Sequence, residues 1–139
     1  MEPIKEFQGD YRWLSNFWPA KIPFDGYIWP TVEHAYQAAK TFDETERQNI
    51  RAVISAGHAK RMGRYVTVRH DWSTVKVSIM TDLIREKFKI PELREKLLAT
   101  GDAELIEGNR WGDTFWGVCK DKGQNYLGKI LMAERRLLK

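Results

Sequence analysis

The stretch Thr31-Val32-Glu33-His34-Ala35-Tyr36-Gln37-Ala38-Ala39-Lys40 decides how the rest of the chain is arranged. Pro30 precedes it, Thr31 can accept a hydrogen bond as a side-chain N-cap, and the alanines favour helix. On that helix Glu33, Tyr36, Gln37 and Lys40 follow one another at steps that bring them to one face. The face is more polar than a core stripe. A carboxylate sits in the first turn, where unsatisfied amides and the helix dipole favour an anion, and an amine follows two turns later. Two readings compete: a solvated amphipathic helix with a Glu–Lys face, or one wall of a site. The dense aromatic and amide stretches on either side favour the site.

Outward from this helix, Ala20 to Phe24 and Tyr27 to Trp29 flank Asp25-Gly26, a strong short-range hairpin signal. Upstream, Ile4 to Phe7 reads as an edge strand and Gly9-Asp10-Tyr11-Arg12 as a turn. Trp13-Leu14-Ser15-Asn16-Phe17-Trp18-Pro19 has no period and reads as an ordered loop lining something. Downstream, Asp43 with Glu46 forms a capping-box start for a second helix, with Ile50, Val53 and Ile54 as its buried stripe and Gly57 as its stop. His58 to Arg64 is short and basic, and Tyr65 to Val68 alternates like a brief strand. Ser73 caps a longer helix with Val75, Ile79, Met80, Leu83, Ile84 and Phe88 on its core face.

Pro91 suits a first helical position, and Glu92 to Leu98 runs on to a stop at Gly101. Glu104 to Glu107 reads as a short strand, and Asn109 to Gly117 as a loop leading into another. Gln124-Asn125 opens the last helix, with Leu127, Ile130, Leu131 and Leu138 facing the core. The expected architecture is α+β, helix-dominated, with a small antiparallel sheet, in a single domain over residues 1–139.

Composition narrows the function classes. No stretch approaches a membrane span, and Met1-Glu2-Pro3 does not begin a signal-peptide pattern. The one cysteine, Cys119, forms no internal disulfide and fits a reducing cytoplasm. A net charge of +4 suits a phosphate-bearing ligand without demanding one. Six tryptophans are a high load for a chain of this size, so part of them is expected at a binding surface.

The histidines His34, His58 and His70 stand far apart and form no ligand-spaced pair, so no metal is expected, and no cofactor motif is present. Cys119 follows an apolar stretch and reads as a buried thiol, with a Cys–His pair as the alternative. Carboxylates remain. Glu33 and Asp113 each lie among aromatic and small residues. Two carboxyls across a C–N or C–O bond at an anomeric carbon divide the work: one stabilises the oxocarbenium-like centre, the other moves a proton to the leaving group or from water. Glu33 fits the first role. Asp113, beside Trp111, Phe115 and Trp116, fits the second if desolvated; the alternative is a turn residue after Gly112. Lys40 offers a Schiff base to a ring-opened ribose, a contact to phosphate or carboxylate, or a solvated amine. Lys60, Arg61 and Arg64 form either a phosphate clamp or a wet surface, and Trp72 either a stacking platform for a base or a core residue.

With these residues laid out, the chain resembles the NADAR family, the YbiA-like N-glycosidases. The resemblance rests on Leu14-Ser15-Asn16-Phe17, the Thr31–Lys40 stretch, Ala59-Lys60-Arg61-Met62-Gly63-Arg64, Trp72 with Lys76 and Met80, and Trp111 to Gly117 with Asn125-Tyr126-Leu127-Gly128. It implies a cytoplasmic, cofactor-independent hydrolase of N-glycosidic bonds to ribose, acting on phosphoribosylated pyrimidine intermediates of riboflavin synthesis or removing ADP-ribose from guanine in nucleic acid. In the second case an ADP-ribosyltransferase toxin is the implied counterpart. By position Glu33, Trp72 and Asp113 correspond to the family's acid, stacker and second acid, Lys40 to its helix lysine, and Asn16 and Phe17 to the loop closing over ligand. Tyr36, Lys60, Arg64, Trp111, Trp116 and Asn125 complete the expected substrate contacts. One departure stands out. Where many members read Trp-Gly-x-Gly, this chain has Trp116-Gly117-Val118-Cys119, which narrows the site if that glycine admits the ligand. The rival functions are an ADP-ribose or nucleotide-binding module without turnover, and a small nucleic-acid-binding protein.

Overall fold

A computed structural model describes all residues, 1–139. The chain divides into two compact units, one of Asn16–Lys87 and the other of Met1–Ser15 with Phe88–Lys139.

In the Asn16–Lys87 unit a short antiparallel hairpin, β1 (Ile22–Phe24) and β2 (Tyr27–Trp29), turns at Asp25 and Gly26, both with positive φ, as a tight hairpin requires. It leads into α1 (Val32–Ala39). Thr31 caps this helix by accepting from His34 N at 3.0 Å. Every residue of α1 is buried, and it packs against β1, β2, α2 (Glu44–Ala52), α3 (Ala56–Met62) and α4 (Trp72–Lys87). The solvated-helix reading therefore fails: α1 is the centre of its unit and carries Glu33 and Gln37 inward.

Two expectations for this unit are corrected. The second helix starts at its Asp43 cap as expected, but it stops at Ala52, and Ile54 is almost fully exposed. The stop lies before Gly57 because the Val53 carbonyl is taken by His34 Nε2 at 2.8 Å. Ser55 then caps α3 by accepting from His58 N, so Gly57 lies inside a helix. Nor is Tyr65 to Val68 a strand. A 3₁₀ turn covers Gly63–Tyr65, and the Thr67 amide is held by the Glu46 carboxylate at 3.0 and 3.1 Å, in place of a strand neighbour.

The other unit begins with a 3₁₀ helix at Gly9–Leu14 where a simple turn was expected. The expected strands at Ile4 to Phe7 and Glu104 to Glu107 reduce to a single parallel bridge, Ile4 with Leu105. Pairing ends there because the next amide, Glu107 N, turns to the Asn125 side chain. Helix α5 (Pro91–Ala99) packs against α6 (Tyr126–Leu138). The remaining strands, β3 (Gly108–Asn109) and β4 (Val118–Cys119), pair in parallel, so the antiparallel expectation holds for the hairpin alone. The α+β, helix-dominated class stands as expected. Of the tryptophans, Trp13 and Trp29 are core, and the Trp29 indole donates to the Phe24 carbonyl at 2.9 Å. No helix is long and apolar enough to cross a membrane.

Candidate functional site

In the Asn16–Lys87 unit, α1 brings together most of the residues expected from the sequence. Glu33 is buried in the first turn, its amide donating to the Asn16 carbonyl at 3.1 Å, so the segment that begins at Asn16 is tied to the start of the helix. Gln37, one turn on, donates from Nε2 to Glu33 Oε2 at 2.7 Å. That bond fixes the amide's orientation, since a carboxylate offers only acceptors. It leaves Gln37 Oε1 as a buried acceptor without a donor, and Asn16 Oδ1 is another, with Asn16 Nδ2 lying 3.5 Å from Met80 Sδ. Two buried acceptors beside a buried carboxylate are polar demand that a hydroxyl-bearing ligand satisfies.

His34 is not part of this chemistry. Its Nε2 faces a carbonyl and must donate, so Nδ1 accepts from the Thr31 hydroxyl at 2.8 Å. Burial pushes its pKa below the ordinary histidine value, opposed by the bond to Val53. It is a neutral structural tie between α1 and the end of α2.

Lys40 follows the last residue of α1, half-buried, with Nζ 5.9 Å from the centre of the Tyr36 ring. Its pKa lies below the ordinary lysine value, first because burial disfavours the ammonium; Glu33 opposes this, while Lys76, Arg64 and Lys60 add to it. The neutral amine is thus favoured relative to a surface lysine, and the charges of Lys76, Arg64 and Lys60 act on it together. Trp72, at the start of α4, meets the Tyr36 ring at 5.2 Å with a tilt of 54°. Phe17 is exposed, with Lys60 Nζ 5.9 Å from its ring centre. Sequence reasoning passed over two contributors. Gln37 shares the face of Glu33 one turn on, and that spacing alone points to the bond. Gly63 carries no local signal of this kind: a Cβ there would lie 1.8 Å from Gln37 Oε1, so its lack of a side chain makes room for the Glu33–Gln37 pair.

The other expected residues lie in the second unit and form a well-braced loop. Asp113 Oδ1 accepts from the amides of Phe115 and Trp116 at 3.1 and 2.9 Å. Asn109 brackets the same residue, accepting from its amide and donating to its carbonyl. The carbonyls of Thr114, Phe115, Trp116 and Gly117 receive the amides of Gln124, Tyr126, Leu127 and Asn125 respectively. These bonds satisfy the amides that the start of α6 would otherwise leave open. Asn125 is buried, and its side chain accepts from Glu107 N and donates to the Leu105 carbonyl, both at 2.9 Å. Gly128 lets that amide and the Leu105 carbonyl approach α6 closely. Asn125-Tyr126-Leu127-Gly128 thus has a local structural task. Trp111 is exposed, while Trp116 packs edge-on to Phe115 at 4.8 Å. Cys119 is a buried free thiol in β4. Glu107, which sequence reasoning also passed over, sets its carboxylate against Gly117, where a Cβ would lie 2.3 Å from Oε2.

The family model described as the NADAR domain matches residues 4–139, across both units. Proteins named N-glycosidase YbiA from Shigella boydii serotype 4 (strain Sb227) and Escherichia coli (strain K12) are each 44% identical over 135 residues, covering 93% of this chain and 82% of theirs. Riboflavin biosynthesis protein VVA0006 from Vibrio vulnificus (strain YJ016) is 39% identical over 143 residues, covering 99% of this chain but only 39% of that protein. The NMR structure of the E. coli protein YbiA matches with a TM-score of 0.87 at 40% identity, covering 99% of this chain and 86% of the other.

Proposed function

The chain belongs to the NADAR domain family, and on that premise we propose that it hydrolyses the N-glycosidic bond between a base and a ribose bearing phosphate. The observation that carries this reading is the polar wall of α1. It holds a buried carboxylate braced by Gln37, two buried acceptors beside it, and an amine on which the charges of Lys60, Arg64 and Lys76 act. Acceptors such as Asn16 Oδ1 and Gln37 Oε1 match sugar hydroxyls, and three cations match phosphate. Glu33, an anion near a helix N-terminus, stabilises positive charge at C1 as the C–N bond breaks. It then takes a proton from the attacking water, whose oxygen becomes the new hydroxyl on C1, and the proton that water gives up balances the one the departing base nitrogen gains, so the carboxylate is restored. Trp72 and Tyr36 supply aromatic faces for stacking, and Phe17 beside Lys60 fits the loop over the ligand.

Asp113 remains proposed as the second acid by its correspondence to the family pattern. Its engagement by two backbone amides supports the turn role equally, so a substitution must separate the two. The proposed substrates are riboflavin-pathway ribosylamino-pyrimidine phosphates and ADP-ribosylated guanine in nucleic acid. In the latter case an ADP-ribosyltransferase toxin would be the counterpart. The place of action we propose is the cytoplasm, which the single free cysteine fits.

The test is hydrolysis of both substrates by wild type, Glu33→Gln and Asp113→Asn, with products read by mass spectrometry. Glu33→Gln is expected to lose at least a hundredfold in kcat while unfolding at about the wild-type temperature. Near-wild-type turnover by Glu33→Gln overturns the assignment. A kcat loss in Asp113→Asn without loss of stability supports the acid role, and loss of stability alone supports the turn. Stoichiometric ADP-ribose binding with neither substrate cleaved turns the reading into that of a binding module.

A further inference from the structure

Asp43 and Glu46, whose spacing reads as a capping box at the start of α2, do not close one. In such a box the acidic residue returns to the amide of the cap. Here Asp43 accepts from Glu46 N at 2.8 Å, but the Asp43 amide donates to the Thr41 hydroxyl oxygen at 3.0 Å, which leaves the Glu46 carboxylate for other partners. Its oxygens turn to two threonines. Oε1 accepts from the Thr41 hydroxyl at 2.7 Å, both oxygens accept from the Thr67 amide at 3.0 and 3.1 Å, and Oε2 also accepts from the Thr67 hydroxyl at 3.3 Å.

Those threonines stand beside residues of the proposed site. Thr41 is fully buried and follows Lys40 directly. Thr67 lies on the segment that runs from the Gly63–Tyr65 turn to Trp72 at the start of α4. Thr67, Val68 and His70 are exposed there, so apolar burial does little to hold that segment in place. Polar links hold it instead. Besides the bonds to Glu46, the Arg69 amide donates to the Lys40 carbonyl at 2.7 Å, and the Arg69 guanidinium lies 4.1 Å from the Phe42 ring centre. The Trp72 amide in turn donates to the Arg69 carbonyl at 3.2 Å. The first two turns of α4 add no deep anchor, since its buried residues begin at Met80. The Trp72 ring therefore meets Tyr36 where this segment delivers it, and Glu46 ties the segment to the residue after Lys40.

We propose that Glu46 is a positioning residue for the reaction: its carboxylate joins the end of α1 to the segment before α4 and so sets the Trp72 ring against the Lys40 amine. The proposal rests on the reading of α1 as the ribose site. Glu46 touches no substrate; it acts through Thr41 and Thr67.

Two measurements on wild type, Glu46→Ala, Glu46→Gln and Asp43→Ala test this. One is the fluorine NMR resonance of Trp72 in protein labelled with fluorotryptophan, assigned by its absence from Trp72→Phe. The other is kcat/KM on the ribosylamino-pyrimidine phosphate and the ADP-ribosylated oligonucleotide, at a temperature where every variant is folded. Alanine favours helix and keeps α2, but removes every bond to Thr41 and Thr67. Glutamine keeps an oxygen for the Thr67 amide and an N–H for its hydroxyl. Asp43→Ala removes the cap and leaves Thr67 held, so it reports what a loosened α2 does by itself. Glu46→Ala is expected to move the Trp72 resonance and to lose about tenfold or more in kcat/KM, the scale of a sub-ångström misplacement of a contacting group. Glu46→Gln is expected to keep most of the activity, and Asp43→Ala to lose thermal stability with resonance and kcat/KM near wild type. The proposal is overturned if the Trp72 resonance stays in place in Glu46→Ala, if it moves without loss of kcat/KM, or if Asp43→Ala loses as much kcat/KM as Glu46→Ala. Wild type that cleaves neither substrate overturns the reading of α1 and the positioning role with it, a failure seen without any variant.

Discussion

Replacing Gly63 by alanine should disturb the proposed reaction centre without touching it. The backbone there has φ −60° and ψ −19°, which any residue adopts, so on backbone entropy alone alanine would stabilise the fold by about 0.4–1 kcal/mol. Packing reverses the sign. The new methyl would lie 1.8 Å from Gln37 Oε1 and 2.6 Å from its Cδ, and Gln37 is buried and bonded to Glu33, so it moves only at a cost. Overpacking of this kind costs about 1–3 kcal/mol. Moving Gln37 also breaks its bond to the Glu33 carboxylate, about 1.5–3 kcal/mol for a bond to a charged group. The expected net loss is about 2–4 kcal/mol, a drop of roughly 4 °C in Tm for each kcal/mol in a chain of this size. Denaturant unfolding of wild type, Gly63→Ala, Gln37→Ala and the double variant reads it directly. In the Gln37→Ala background the carboxamide is gone and the bond already lost, so Gly63→Ala should cost under about 1 kcal/mol, giving a coupling near 2 kcal/mol. A Gly63→Ala protein as stable as wild type, or the same cost in both backgrounds, refutes the reasoning.

Two further outcomes follow from buried amines. Lys87 is fully buried at the end of α4, and desolvation pushes its pKa down to about 7 from 10.5. Between those values the unfolded chain binds a proton that the folded chain does not, so stability rises with pH across that window and is lost as pH falls toward 7. Urea unfolding of wild type and Lys87→Met should differ most near pH 6 and converge by a few kcal/mol toward pH 10; a difference independent of pH contradicts this. For Lys40, whose pKa is lowered chiefly by burial, borohydride reduction with ribose 5-phosphate should leave a ribityl-phosphate adduct that peptide mass spectrometry places on Lys40 and that Lys40→Arg abolishes. If no adduct forms, Lys40 is a substrate contact and not a nucleophile.

Much of this molecule could be read from neighbouring residues. Thr31, Asp43 and Pro91 mark helix starts, Asp25-Gly26 marks the hairpin, and the apolar spacing from Met80 to Phe88 marks the core face of α4. Each signal acts through partners within about four residues, so local sequence carries it. The grouping of Glu33, Gln37 and Lys40 on one side of α1 follows from helical geometry in the same way. Their burial does not, since periodicity cannot tell a helix enclosed by β1, β2, α2, α3 and α4 from one with a wet face.

Apart from the 3₁₀ helix at Gly9–Leu14, the misread elements involve a polar group that chose a distant partner. Glu46 holds the amide of Thr67, His34 takes the carbonyl of Val53, and Asn125 spans the backbone at Leu105 and Glu107. Each bond ends or redirects an element that looked continuous in the sequence. The same holds for Gly63, whose meaning lies in Gln37, and for Lys87, a charge on a stripe that reads as apolar. By itself the sequence determined the helix and turn boundaries that short-range hydrogen bonding enforces, together with the chemical inventory of the site. Only the tertiary structure decided which carboxylate is buried, which amine is desolvated and which glycine makes room, because burial and long-range hydrogen bonding depend on residues that meet only when the chain has folded.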